Sequence, residues 1–158
     1  MKKLIILLIP ILTYSQTYNE LMGIKSMNDF KRVMIENGYE MDYEDEIEVV
    51  FGYNLVREVG ETNKSEKWGM YNKKSKTIIY QFGEKPLSLL SRYGDYDDIV
   101  DNIKSKCEYD DIIVVEDESG IMKSEYVGYN CSESKSDGKF GFMVSEGNGY
   151  VKFFPNNE

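Results

Sequence analysis

One short string recurs, and a recurrence restricts a fold more than composition does. Val50-Phe51-Gly52-Tyr53-Asn54 returns seventy-six residues later as Tyr126-Val127-Gly128-Tyr129-Asn130. Each copy is followed by an aromatic-glycine string, Lys67-Trp68-Gly69-Met70-Tyr71 in the first and Lys139-Phe140-Gly141-Phe142-Met143 in the second. Each ends in an apolar strand pattern, Thr77 to Phe82 and Gly149 to Phe154. A helix-like stretch precedes each. The expected fold is therefore α+β: two tandem helix-then-antiparallel-strands units that form one sheet layer packed by two helices. The units span 26–82 and 95–154, with 83–94 as linker. The alternative is two unrelated stretches that share Tyr-rich and Gly-rich strand composition.

The first fifteen residues read as a secretory signal peptide. Lys2 and Lys3 form a basic start, Leu4 to Leu12 is an apolar run, and Thr13 and Ser15 supply small residues before cleavage between Ser15 and Gln16. A membrane-spanning helix needs about 20 apolar residues, more than this run holds. No Cys follows it until Cys107, so bacterial lipoprotein attachment is excluded. The competing reading is a buried N-terminal strand. The mature chain, 16–158, is short enough for a single domain and long enough for one core. The expected destination is the periplasm or the medium.

Formal charge is −9, and removing Lys2 and Lys3 takes it to −11. Such a chain repels phosphodiester backbones, which excludes nucleic acid as a partner class. Cys107 and Cys131 are the only cysteines. In an oxidising compartment an even count invites a disulfide, and closing that loop stabilises by roughly 3–4 kcal/mol. The alternative is two buried thiols that never meet.

Local signals place the elements. Tyr18, Leu21, Met22 and Ile24 predict a short helical turn docked on the core. Ser26 caps a helix over 27–37, with Asp29 as its reciprocal partner and Gly38 as its stop. Glu40 to Glu48 reads as an acidic loop or strand entrance, followed by strands over 49–56, 67–73 and 77–82. Pro86-Leu87-Ser88-Leu89-Leu90 is apolar for a connection and is expected to fold onto the core; the alternative is an exposed loop that inserts into a partner. Asp95 caps the second helix. Strands follow over 111–115, 121–131, 139–145 and 149–154, with a hairpin turn at Glu146-Gly147-Asn148-Gly149. The glycines at 69 and 141 are expected to mark a bulge or a close approach of backbones.

The chain has no His, which removes the commonest general base, the Ser-His-Asp triad and the usual zinc ligands. No nucleophile elbow, phosphate loop or dinucleotide fingerprint is present. Asp97, Asp98, Asp110 and Asp111 are the nearest approach to a catalytic carboxylate pair. The acids of Asp42 to Glu46 and Glu116 to Glu118 lack the alternating spacing and glycine of a calcium loop. Asn63 and Asn130 stand in acceptor patterns for glycosylation and, behind a bacterial-type leader, are expected to be bare. No cofactor or metal is expected. Thirteen tyrosines remain as the distinctive feature, and aromatic side chains serve binding surfaces well. Trp68, Tyr71, Phe140 and Phe142 are the candidates for such a surface, or for the core beneath it.

The leader, the string Met34 to Glu40, Cys131-Ser132-Glu133-Ser134 and the Glu146-Gly147 turn resemble a group of short exported proteins of flavobacterial type with no known activity. That resemblance implies export. In plan alone, the expected tandem is similar to secreted β-lactamase-inhibitor-like proteins and PepSY-type modules, a likeness that implies binding rather than catalysis. The functional expectation is a secreted, non-enzymatic binding module for a protein or envelope component, of open oligomeric state. The alternatives are a carboxylate-based enzyme or carrier of a small ligand or glycan, and a structural envelope component.

Overall fold

The computed structural model describes residues 17–83, 95–116 and 121–156. The expected leader with its Ser15–Gln16 junction, the leucines of 86–90 and residues 117–120 of the acidic turn lie outside the described residues. Eleven elements follow in order: α1 (Tyr18–Met22), α2 (Met27–Glu36), β1 (Tyr39–Glu44), β2 (Glu48–Tyr53), β3 (Lys67–Asn72), β4 (Ile78–Phe82), α3 (Asp95–Lys106), β5 (Glu108–Glu116), β6 (Lys123–Asn130), β7 (Gly138–Ser145) and β8 (Asn148–Pro155). All eight strands join one antiparallel sheet in the order β1-β2-β3-β4-β8-β7-β6-β5.

Caps and turns follow from the residues at their ends. Thr17 and Glu20 close a reciprocal capping box on α1, which stops at Gly23. The Ser26 hydroxyl accepts the Asp29 amide at the start of α2, and the Asp29 carboxylate accepts the Ser26 hydroxyl and the Lys25 amide. The Asp45 carboxylate accepts the amides of Ile47 and Glu48 and so turns β1 into β2. Between β7 and β8, Glu146 and Gly147 both take positive φ, the two-residue hairpin that Gly permits at no steric cost.

All three helices feed one core. Phe30, Val33 and Met34 of α2, Ile99 and Ile103 of α3, and Leu21 and Met22 of α1 pack on Val49, Phe51, Tyr71, Ile78, Tyr80, Phe140, Val151 and Phe153 of the sheet. Period-two alternation turns one face of β2, β3, β4, β7 and β8 toward this cluster. Burial along β4 and β8 alternates accordingly.

The expectation of two tandem helix-then-strands units packed by two helices is overturned. The fold is dominated by its sheet, with 46 % of the described residues in strands against 22 % in helices, and the helices run only five, ten and twelve residues. Acid-rich strings are depleted in strands, so residues 40–48 read as an acidic loop or strand entrance and the strand after the second helix reads as starting only at 111. Residues 40–44 and 108–110 instead lie in the two edge strands, β1 and the start of β5, where acids face solvent and discourage pairing with another chain, while 45–47 turn β1 into β2.

Register also separates the recurring strings. Gly52 lies opposite Trp68, whereas Gly128 lies opposite Gly141. A one-residue slip moves every side chain to the other face. A Cβ on Gly69 would meet the Met34 sulfur inside the core, while a Cβ on Gly141 would meet Tyr126 and Phe154 on the opposite face. Neither glycine is a bulge, since the ladder runs through both without a shift. At both positions a side chain from elsewhere fills the space, rather than a second backbone.

Candidate binding surface

The sheet face opposite the helices carries a band of apolar and aromatic side chains outside the core cluster. Alternation places Trp68 and Met70 of β3, Ile79 and Gln81 of β4, Tyr150, Lys152 and Phe154 of β8, and Met143 of β7 on this side, all half-buried. Cross-strand pairing sets them in rows. Trp68 faces Gln81, which faces Tyr150, which faces Met143; Met70 faces Ile79, which faces Lys152. Leu55 and Ser65 fill the space over Gly52, the cross-strand partner of Trp68 on β2, so the 54–66 loop walls one side. Its tip carries Val59, fully exposed.

Lys152 occupies the middle of the band. Gly128 and Gly141 pair across β6 and β7 and leave a shallow floor. The rings of Tyr126 and Phe154 close over it edge to face at 5.4 Å. The Lys152 ammonium lies 5.6 Å from the Tyr126 centroid and 4.9 Å from that of Phe154, within the range of cation–π attraction. Burial among these groups draws its pKa below the usual lysine value. The surface therefore combines flat rings, flexible thioethers and one desolvated cation.

The four sequence candidates divide between the two faces. Trp68 lies on the open band. Tyr71, Phe140 and Phe142 are core residues: Tyr71 packs on Phe30 at 5.7 Å, Phe140 on Phe153 at 5.1 Å, and Phe142 stacks on Tyr129 at 5.6 Å. Sequence reasoning missed Tyr126, Lys152 and Phe154. The period-two pattern of Tyr150-Val151-Lys152-Phe153-Phe154 held the signal, since the residues alternate with the buried Val151 and Phe153.

The carboxylates are occupied elsewhere. Asp110 takes Lys139 at 2.5 Å and the Asn130 amide nitrogen at 3.1 Å, and Asp111 accepts the Ile112 amide. Asp97 and Asp98 sit in the first turn of α3. Among the described residues no group of three or more acids or cysteines is placed to hold a metal ion. Asp42 accepts the Asn63 side-chain amide, so both glycosylation-pattern asparagines spend that nitrogen on an aspartate.

Several acids are instead tied into the scaffold, which gives an acid-stability prediction. Glu44 is held below the usual carboxylate range by Lys31 at 2.6 Å and Lys73 at 2.9 Å. Asp45 is lowered by the Glu48 and Ile47 amides, Asp110 by Lys139, and Asp29 by the Ser26 hydroxyl and the Lys25 amide. A carboxylate whose folded pKa is depressed stabilises fully above its unfolded value, about 4, and loses that contribution as pH falls through the folded value. Melting followed by circular dichroism should show a steady Tm from pH 7 to 5 and a fall below about pH 4. An unchanged Tm at pH 3 would show that these pairs contribute nothing.

Cys107, just past α3, and Cys131, just past β6, form a disulfide. Among the described residues no helix is long and apolar enough to cross a membrane. Comparison of the chain with protein-family models, with curated proteins and with solved structures returns no match.

Proposed function

We propose that the protein is an exported, non-catalytic binding module that engages a partner protein or envelope component through the sheet face opposite its helices. The observation that carries this reading is the band of Trp68, Met70, Ile79, Tyr150 and Phe154 around Lys152, which lies outside the core cluster that receives all three helices. Interfaces are enriched in Trp, Tyr, Phe and Met, and truncating a central anchor weakens binding by 2 kcal/mol or more, roughly thirtyfold. Lys152 supplies a point for an acidic group on the partner. The disulfide and the leader-like start of the chain support passage into an oxidising compartment.

The test uses the mature disulfide-bonded chain, cross-linked to envelope and medium fractions of its source. The reading expects a species captured by the wild type, competed by excess untagged protein and lost with Trp68→Ala. Trp68 is half-buried, so Tm should fall only by the few degrees that about 1 kcal/mol produces. Capture that survives both Trp68→Ala and Lys152→Ala in folded protein would reject this face as the interface.

A further inference from the structure

A second feature lies away from the open band. The β3–β4 turn, the segment joining α1 to α2 and the 135–137 loop enclose a cleft of about 410 Å³, within the size range of small-molecule sites. Its floor includes Tyr71, Ile78 and Phe153, and its walls carry Lys25, Lys74, Lys76 and Lys135. The carboxylate of Asp137 is the one acid in the lining, and its Oδ1 accepts the Asn156 side chain at 2.9 Å. In a chain of net charge −9, four lysines against one engaged acid form a local reversal of sign.

The lysines are also spared from the ion pairing common elsewhere. Lys31, Arg32, Arg57, Lys64, Lys67, Lys73, Lys123 and Lys139 each pair with a carboxylate. Among the described residues none of the four cleft lysines does so. Both walls are built before any ligand arrives. The Asn72 side-chain Oδ1 accepts the backbone amides of Lys74 at 3.0 Å and Ser75 at 2.8 Å, which fixes the turn. The Lys135 amide donates to the Met22 carbonyl at 2.8 Å, and the Ser136 hydroxyl donates to that of Ile24.

We propose that this cleft binds a small organic anion carrying two or more phosphate or sulfate groups. Clustered ammonium groups repel one another, and a concave wall of one sign concentrates counter-ions. Compact lysine charges suit tetrahedral oxyanions, and a multiply charged anion answers several lysines at once. This inference does not depend on the open sheet face. The band residues Trp68, Lys152 and Phe154 are not in the cleft lining.

The test is a proton–nitrogen NMR titration of the mature chain with fructose 1,6-bisphosphate and, separately, with a disulfated heparin disaccharide; glucose is the neutral control. The expected result is saturable shifts at the amides of Lys74, Ser75, Lys76, Ser136 and Asp137 with at least one anion, and none with glucose. Which anion binds more tightly distinguishes a phosphorylated from a sulfated ligand. Affinity should fall about tenfold in Lys74→Ala/Lys76→Asn, where Asn tolerates the positive φ of position 76. Lys25→Ala/Lys135→Ala, on the opposite walls, should weaken binding similarly if the turn variant proves misfolded. Lys123→Ala should leave affinity unchanged. Absence of saturable shifts with both anions, or equal loss with Lys123→Ala, overturns the proposal.

Discussion

Phe30→Ala should lower the stability of the folded chain by about 3–5 kcal/mol, the usual consequence of emptying an aromatic position in a packed core. Phe30 is fully buried, with the rings of Phe51, Tyr71 and Tyr80 at 5.9, 5.7 and 6.1 Å. These three rings come from β2, β3 and β4, so one side chain of α2 fastens the helix to three strands. Gly69 leaves the space that Phe30 and Met34 occupy, and the pocket has no short route to collapse. A domain of this size has about 5–15 kcal/mol in total, so the variant is left with a fraction of it. Urea unfolding at unchanged slope is the measurement, with a Tm lower by about 10–20 °C as its thermal counterpart. A loss under about 1 kcal/mol would mean that Phe30 is not the centre of the core.

Removing the disulfide should have an effect of similar size but a different distribution. Cys107 and Cys131 are 24 residues apart, and the loop they close contains β5 and β6. On the chain-entropy account its loss destabilises by about 3–4 kcal/mol. The β5–β6 hairpin lies at the edge of the sheet, held by β7 on one side only. Ile112 and Val114 of β5 are exposed, so less core packing compensates there than in the centre. In Cys107→Ala/Cys131→Ala, amide exchange should therefore quicken first in β5 and β6, while β2, β3 and β4 keep their protection until global unfolding. Uniform acceleration across the sheet would show that the bridge acts only on the unfolded chain. A change in global stability below about 1 kcal/mol would remove the bridge from the account of stability altogether.

The legible parts of the sequence were those governed by local chemistry. Ser26 with Asp29 marks the start of α2 because a cap needs only neighbours in sequence. The Glu146-Gly147 turn is legible for the same reason. The apolar stripes of α2 and α3 identify their buried faces. What was not legible depends on partners far along the chain. Acid-rich β1 and the start of β5 qualify as strands only because they lie at edges, a property of sheet order and not of their own residues. The recurring aromatic-glycine strings are alike as text, yet their glycines admit side chains on opposite faces. Trp68 and Phe140 occupy matching places in the strings, but one slip in register sends the first to the open face and the second into the core. Nothing local in either string records that difference. The candidate surface was legible to the extent of Trp68; Tyr126, Lys152 and Phe154 depend on which strands come together.

The last of the described strands in chain order lies in the middle of the sheet. β8 pairs with β4 on one side and β7 on the other, and these are the bonds that join the first four strands to the last four. During synthesis β4 and β7 each present an open row of amides and carbonyls until Asn148 to Pro155 emerges. The β1–β4 and β5–β7 meanders can each form from strands adjacent in sequence, but without Asn148 to Pro155 the facing edges of β4 and β7 stay bare and ready to pair with a neighbour. Closure of the whole sheet therefore rests on a single strand, Asn148 to Pro155, whose two ladders are the only bonds that tie one half of the sheet to the other among the described residues.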